Sequence, residues 1–362
     1  MINTDHITRQ VLKNCDISDS KHAGLYSICG LALRLRDLFK WEKHLDPWME
    51  KDSSEILDWI GLKEDLWANL DGREYCRLSI NGKSFDPFDT ENINNLLVPH
   101  GILYGAGYAQ SLKPTFFLAV INNKLTIGNL DVFVLEQELA RDLLTLPALS
   151  QDNQVLFRKD SAKLFFWDQL FYLKKSGQPF LWYALQKCGI EKADPKSLRQ
   201  HLSSLLDLYQ DTYIYHELGE IKDTDFDKNI WREIIGAYPQ SIVEYFTRTI
   251  KDLLADTNAH GTLHHIVREH KDISLGLYAA FFDGLARSLF PELRASIKHF
   301  CKSGDWKEIK KTVTAGYDTA RRGKDMIIDL YREGLDREDS QWIEKKIEAH
   351  VNNLQNYPST YR

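Results

Sequence analysis

The hydrophobic pattern of this chain changes its period near residue 150, and that change constrains the fold more than any other feature. Between residues 75 and 135, short segments alternate apolar and polar side chains, which is the period-2 pattern of half-buried strands. Beyond Lys159, apolar residues recur at spacings of three and four, the pattern of amphipathic helices. The sequence therefore predicts an α+β fold class, with a mixed N-terminal domain followed by an all-α helical C-terminal domain.

The N-terminal domain is predicted to begin with a helical hairpin. Residues 19–45 have the pattern of one long amphipathic helix, with Ile28 and Phe39 on its apolar face. A second helix is predicted after Pro47, because residues 52–55 read Asp-Ser-Ser-Glu, the spacing of a capping box. The tryptophans of this hairpin are expected to pack in a core rather than to bind a ligand.

A small antiparallel sheet is predicted to follow the hairpin. Residues 75–80 lead into Asn-Gly at 81–82, which favours a two-residue turn between paired strands. A second β-hairpin is predicted around Asn-Asn at 122–123, with a further strand at residues 130–135.

A return to helical spacing then locates the predicted domain junction. Residues 136–146 have a helical pattern that ends at Pro147. The polar segment at residues 150–154 is predicted to be the boundary, which places one domain at 1–152 and the other at 153–362.

Composition restricts the classes of partner and the location. The net charge of −6, from 46 Lys and Arg against 52 Asp and Glu, gives no overall attraction to phosphate backbones or anionic membranes, so nucleic acid is disfavoured. No apolar run approaches the roughly 20 residues that a membrane span requires, and no apolar signal segment follows the polar N-terminus. The five cysteines are odd in number and form no CxxC pair, which argues against a disulfide framework. We expect a cytoplasmic protein, and the oligomeric state stays open.

The helix predicted over residues 202–220 carries ionisable side chains on or beside its apolar stripe. His216, Glu217 and Glu220 follow the stripe that includes Tyr209. Burial of such groups is costly unless they are paired, protonated or bound to a cation. One helical turn separates His216 from Glu220, so the three side chains could approach one cation. The spacing differs from the Glu-x-x-His pattern of helical di-iron proteins.

A second set of candidate metal ligands lies at residues 260–270, which hold four of the twelve histidines. His260 and His264 are four residues apart. If this segment packs against the helix ending at Glu220, a mixed His/Glu site for zinc, manganese or iron becomes possible.

The alternative is a solvated histidine-rich turn beside a salt bridge made by Glu217 or Glu220. Gly261 is expected to weaken the helical relation between His260 and His264. A helical wheel also directs His264 and its neighbour His265 toward solvent.

Three further motifs have structural interpretations. The glycine-rich residues 101–108 lack the third glycine of a dinucleotide-binding fingerprint and are predicted to form a flexible or closely packed loop. The charged residues within 138–142 and within 244–252 have the spacing of ion-pair ladders on exposed helices. Binding of a substrate acid or phosphate by the arginine of either ladder is the alternative.

Three segments together resemble those of an uncharacterised bacterial family that has an N-terminal and a C-terminal domain of unknown function. They read Cys-Gly-Leu-Ala-Leu-Arg-Leu-Arg-Asp at 29–37, Glu-Leu-Ala-Arg-Asp at 138–142, and Ala-Asp-Thr-Asn before Gly-Thr-Leu within 255–263. The resemblance runs through most of the chain and implies two domains. It implies no activity, cofactor or catalytic residue.

Two classes of function remain open. A noncatalytic regulatory or protein-interaction scaffold is favoured, with the acidic helical domain binding a protein partner. The alternative is a metal-dependent enzyme of the hydrolase type, in which a cation activates water and an unused glutamate acts as general base. The sequence predicts no catalytic residue for either class.

Overall fold

The computed structural model of this protein describes residues 2–109 and 112–356, and the chain divides into two compact units, Met1–Asp168 and Gln169–Arg362. The predicted junction between residues 152 and 153 lies inside the first unit, at a turn between two paired strands. The last six residues of the predicted all-α domain, 357–362, lie outside the described residues.

Within its described residues, the first unit has three helices followed by strands, with a fourth helix after the second strand and a fifth that crosses the boundary between the units. The bounds are α1 Thr4–His22, α2 Ile28–Glu42, α3 Ser53–Leu70, β1 Leu78–Ile80, β2 Lys83–Phe85, α4 Thr90–Leu97, β3 Ile102–Tyr108, β4 Pro114–Ile127, β5 Leu130–Arg141, β6 Ala148–Gln151, β7 Gln154–Arg158 and α5 Lys159–Phe171.

The predicted long helix over residues 19–45 is wrong, because two helices meet within it. The first, α1, ends at His22, and α2 begins after Ser27, whose side chain accepts a hydrogen bond from the backbone N–H of Gly30. The predicted hairpin is therefore formed by α2 and α3, which bury Phe39 and Trp59 against each other at a ring-centroid distance of 5.5 Å.

The β-hairpin predicted at Asn-Gly is confirmed. Strands β1 and β2 pair with Ile80 opposite Lys83, and Asn81 and Gly82 have φ values of 51° and 78°. The larger sheet has the strand order β3-β4-β5-β7-β6. It is mixed rather than antiparallel, because the β6–β7 hairpin places β7 parallel to β5.

Two local predictions in the sheet region are wrong. Strand β4 continues through Asn122 and Asn123, with register irregularities there, and the turn falls at Gly128 instead. The predicted helix at 136–146 is largely strand β5. The polar boundary segment is the β6–β7 turn, in which Asp152 has a φ of 49°.

The glycine-rich segment predicted as a loop is strand β3. Its Gly105 lies against the ring of Phe117 on β4, where a Cβ atom would lie 1.8 Å from the ring. The glycine therefore serves close packing within the sheet, not a phosphate-binding turn.

The two faces of the sheet contribute to separate hydrophobic cores. On one face, α1 contributes Ile7, Val11 and Cys15 to a core with α4 and strands of the sheet. On the other face, side chains such as Phe117 and Phe133 form a separate core. Helix α1 was not predicted from the sequence because most of the residues between its core positions are polar and the segment as a whole is only weakly apolar.

The second unit is mostly helical, as predicted. Within its described residues, the helices after α5 are α6 Gln178–Lys187, α7 Pro195–Lys222, α8 Lys228–Ala237, α9 Ile242–Thr257, α10 Thr262–Arg268, α11 Asp272–Phe281, α12 Gly284–Leu289, α13 Pro291–Ser303, α14 Trp306–Asp336 and α15 Ser340–Asn356. Among residues 2–109 and 112–356, none of the helices is both long and apolar enough to cross a bilayer.

Candidate functional site

Helices α7 and α9 pack closely at a contact between a glycine and an alanine. A Cβ atom on Gly219 would lie 2.1 Å from the carbonyl oxygen of Ala255, so only glycine allows this approach. The side chain of Asn258 adds a hydrogen bond of 2.9 Å to the Gly219 carbonyl. Ionisable residues flank both sides of the contact, and the close approach brings their side chains together.

The central side chain of this cluster is His216 on α7. Its Nδ1 donates to Oδ1 of Asp256 on α9 at 2.8 Å, and the second oxygen of Asp256 accepts from the hydroxyl of Tyr278 on α11 at 2.6 Å. Three helices therefore fix the imidazole ring. Its Nε2 lies 3.7 Å from Oε1 of Glu220, one helical turn further along α7.

Two more charged groups complete the cluster. Asp252 on α9 lies one turn before Asp256, and one ligand atom each from Asp252, His216 and Glu220 lie within 4.8 Å of one another. The second oxygen of Glu220 accepts from Nζ of Lys251 at 2.5 Å. The side chain of His216 is 28% exposed and that of Glu220 is 18% exposed, so an ion from solvent can reach them.

The electrostatics of the metal-free cluster favour a charged imidazole. Burial by itself lowers the pKa of His216, but the carboxylates of Asp256, Glu220 and Asp252 outweigh it and raise that pKa well above its ordinary value. Burial by itself raises the pKa of Glu220, but Lys251 and His216 outweigh it and lower that pKa. The side chain of Asp252 is exposed at the edge of the cluster; partial desolvation there, aided by Glu220, raises its pKa to about 6 against the opposing effect of His216 and Lys251.

This donor set fits a divalent transition metal. Imidazole nitrogen and carboxylate oxygen are ligands for zinc, manganese and iron at about 2.1 Å, so in a tetrahedral centre the ligand atoms would lie roughly 3.4 Å apart and the three side chains would have to draw together from their present spacing of up to 4.8 Å. A metal-bound histidine usually donates its other N–H to a carboxylate, which is the relation between His216 and Asp256. A metal at Nε2 would take the place of a proton, and Asp256 would hold the ring.

The family comparison covers both units. Residues 6–158 match the N-terminal domain of a family of unknown function, DUF6866, and residues 163–350 match its C-terminal domain. The chain belongs to this family. No curated protein and no solved structure matches the chain. Because the function of the DUF6866 family is unknown, membership assigns neither a reaction nor a ligand.

Of the five metal-ligand candidates predicted from the sequence, two meet in the C-terminal DUF6866 domain. His216 and Glu220 belong to the convergent group. Glu217 is half-buried on the same turn of α7 but is not part of that group. His260 is exposed in the turn before α10, and His264 is half-buried on α10; neither is part of the group.

The histidine-rich segment does pack on α7, but at a different level from the cluster. Thr262 donates to the carbonyl oxygen of Thr212 at 2.9 Å. The prediction that His265 faces solvent is wrong, because its ring stacks on Tyr215 at 3.6 Å between centroids and its Nε2 lies 3.3 Å from Asp211. Since Gly261 caps α10, the helical relation assumed between His260 and His264 does not form.

Sequence reasoning missed Asp256 and Tyr278, and it placed Asp252 in an exposed ladder. One signal could have identified the two aspartates. Asp252 and Asp256 are four residues apart on α9, the same spacing that separates His216 from Glu220 on α7. Two helices with matched pairs of ionisable residues can converge when small residues lie between the pairs.

The N-terminal DUF6866 domain contains a second cluster of charges, which sequence reasoning had placed on an exposed helix. Glu138 on β5 accepts from Nε of Arg158 at 2.6 Å and from Ser161 at 2.8 Å, and it lies 3.5 Å from Arg141. All three charged side chains are at most 1% exposed. The Arg158 guanidinium also lies over the ring of Phe117 at 4.3 Å.

Proposed function

We propose that the C-terminal domain binds one divalent transition-metal cation through Nε2 of His216 and the carboxylates of Glu220 and Asp252. The observation that supports this most strongly is the hydrogen bond from His216 to Asp256, which fixes the ring with Nε2 toward Glu220. An isolated salt bridge needs no second carboxylate behind the histidine, whereas the histidine of a metal centre commonly donates its other N–H to one.

The chemistry of such a centre follows from its ligand count. Three protein ligands leave coordination positions for water or a substrate oxygen, and a bound divalent cation lowers the pKa of that water enough to make a nucleophile near neutral pH. A metal-dependent hydrolase is therefore the reaction class that we propose. Without a metal, His216 is a poor general base, because its raised pKa keeps it protonated.

Elemental analysis of untagged protein purified without chelator tests this proposal. We expect close to one equivalent of zinc, manganese or iron in the parent, and a loss of metal in His216→Ala and Asp252→Asn. His264→Ala is the matched control, because His264 is a half-buried histidine of the same unit outside the cluster. Circular dichroism establishes that each variant is folded. A parent protein that takes up no zinc, manganese or iron after reconstitution overturns the proposal.

A second function, protein binding, is supported by the start of helix α2. The apolar stripe of this helix runs from Ile28 to Phe39, and Phe39 is buried whereas Ile28 is 89% exposed. Leu33, five residues further along the same helix, is 40% exposed. An apolar stripe that is half covered in the isolated chain is typical of a surface that a partner covers.

A partner at this surface fits the regulatory or scaffold class. Ile28→Lys and Leu33→Lys should abolish capture of that partner from a lysate while leaving metal content unchanged, since both residues lie in the other unit from the metal cluster. Leu125→Lys is the control, because Leu125 is 42% exposed on the sheet. Equal capture by all three variants would contradict this second proposal.

A cytoplasmic location belongs to the proposed scaffold function, since all five cysteines are free thiols.

A further inference from the structure

We infer that Lys251 limits the centre formed by His216, Glu220 and Asp252 to a single metal ion and sets its affinity. The inference deepens the proposed function and depends on it. The two oxygens of Glu220 are divided between two neighbours: Oε1 faces His216 at 3.7 Å, and Oε2 accepts from Nζ of Lys251 at 2.5 Å. A carboxylate that bridges two cations in this way is the arrangement of a two-metal site, and here an ammonium takes the second position.

The charges of the cluster support one metal and no more. The three carboxylates of Glu220, Asp252 and Asp256 carry three negative charges. One divalent cation together with the Lys251 ammonium cancels them when His216 is neutral. A second divalent cation would leave an uncompensated excess of positive charge in a partly buried place, which is unfavourable.

The position of Lys251 is fixed by its surroundings. Its Nζ lies 4.5 Å from the ring centroid of Trp231 on α8, and the guanidinium of Arg248 lies 5.4 Å from the same ring. Cation–π attraction therefore adds to the ion pair with Glu220 and holds the ammonium beside the metal position. Lys251 therefore keeps its ammonium group beside the oxygen of Glu220 that faces away from His216.

A fixed positive charge next to a metal ion opposes its binding. In Lys251→Met, the ammonium is gone and the second oxygen of Glu220 becomes available to the metal. We expect manganese to bind at least about tenfold more tightly, because like charges within a few ångströms repel strongly in a partly buried site. At high manganese concentration we expect more than one equivalent to bind. In Lys251→Arg, which keeps the charge, the affinity and the stoichiometry should remain those of the parent.

Manganese titration of the full-length, metal-depleted protein, with free Mn²⁺ counted by electron paramagnetic resonance, tests this inference. Lys187→Met is the matched control, because Lys187 also forms a lysine–carboxylate pair in the second unit, with Asp272 at 3.0 Å. Lys251→Gln replaces Lys251→Met if the latter does not fold.

The possible outcomes distinguish the role of Lys251 from the proposed metal binding on which it depends. One equivalent in the parent, with tighter binding in Lys251→Met and no change in Lys187→Met, supports both. Binding in the parent with equal or weaker binding in folded Lys251→Met and Lys251→Gln overturns the role of Lys251 and leaves the metal centre standing. Absence of binding in the parent and in every variant overturns both.

Discussion

The two units of this protein each gather charged side chains away from water, and they neutralise them differently. In the first unit, Glu138 lies between Arg141 and Arg158, and all three side chains are at most 1% exposed. In the second unit, the carboxylates face an imidazole, and His216 and Asp256 keep 28% and 15% of their side-chain surface exposed. One cluster is sealed and the other is open to ions.

The difference lies in the cation. A guanidinium does not give up its proton at any pH that a protein tolerates, so the Arg158 cluster cannot exchange a proton for a metal ion. An imidazolium loses its proton to a competing metal, so the His216 cluster can exchange one cation for another. Buried carboxylates alone therefore do not indicate a metal site. Whether a metal ion can bind depends on which cation neutralises them and on whether solvent reaches that cation.

The largest expected effect on stability comes from removing one arginine of the buried Glu138 cluster. Arg158→Met should lower the free energy of unfolding by about 3 to 5 kcal/mol, because it leaves Glu138 buried without its main partner. Lys159→Met is the control, since its pair with Glu136 is partly exposed and should contribute about 0 to 1 kcal/mol. Urea unfolding measures both. Equal small losses would mean that burial does not distinguish these pairs.

A smaller effect is expected from separating the helices that carry the open cluster. Gly219→Ala puts a methyl group 2.1 Å from the Ala255 carbonyl oxygen, so α7 and α9 must move apart. We expect a loss of about 2 to 3 kcal/mol in stability and weaker metal binding. Gly61→Ala is the matched control, because nothing lies within 4 Å of its added Cβ in helix α3. That variant should gain about 0.4 to 1 kcal/mol. Unchanged metal binding in Gly219→Ala would separate the cluster from the close helix contact.

The sequence predicted the helical second unit well because its apolar periodicity is set locally. It predicted the sheet poorly where long-range pairing overrides local patterns. Asn122 and Asn123 have the composition of a turn, but pairing with β5 carries β4 past them. Residues near Glu138 have helical spacing in the sequence. They nevertheless belong to strand β5, where Glu138 pairs with the buried Arg158 from a distant part of the chain.

The candidate site was half predicted for a related reason. His216 and Glu220 share one helix, so their proximity follows from spacing alone. Asp252 and Asp256 join them only because Gly219 and Ala255 allow two helices to touch, and a single sequence does not reveal which helices cross. Tyr278 comes from a third helix and carries no local signal.

Removing the hydrogen bond that orients Asp256 should weaken metal binding at the His216 cluster without separating its helices. Tyr278→Phe removes one hydrogen bond to Asp256 and should weaken metal binding by about tenfold, because groups that orient a ligand typically change affinity by 10-fold to 100-fold. Tyr317→Phe is the matched control, since it removes a comparable bond of 2.7 Å to Asp225 in the same unit. Isothermal titration with zinc compares them. Equal affinities for both variants and the parent would remove Tyr278 from the site.

The smallest effect concerns a cluster of intermediate type in the first unit, where Asp37 and Asp168 share the guanidinium of Arg36 at 2.8 and 2.6 Å. Burial, followed by the charge of Asp37, raises the pKa of Asp168 to about 6 despite Arg36. The folded state therefore binds this proton more tightly than the unfolded state. The stabilisation is fully present below the unfolded pKa, near 4, and is lost as the pH rises through about 6.

Asp168→Asn should remove that pH dependence, because asparagine stays neutral. The difference in unfolding free energy between the parent and this variant should shift by about 1 kcal/mol in favour of the parent when the pH falls from 7 to 5, after allowance for solvent screening of a partly exposed group. Urea unfolding at both pH values measures the shift. A constant difference would mean that Arg36 balances both carboxylates by itself. In that case the cluster is of the sealed type despite its exposure, and the chemistry of the cation, not solvent access, is the property that separates the two units.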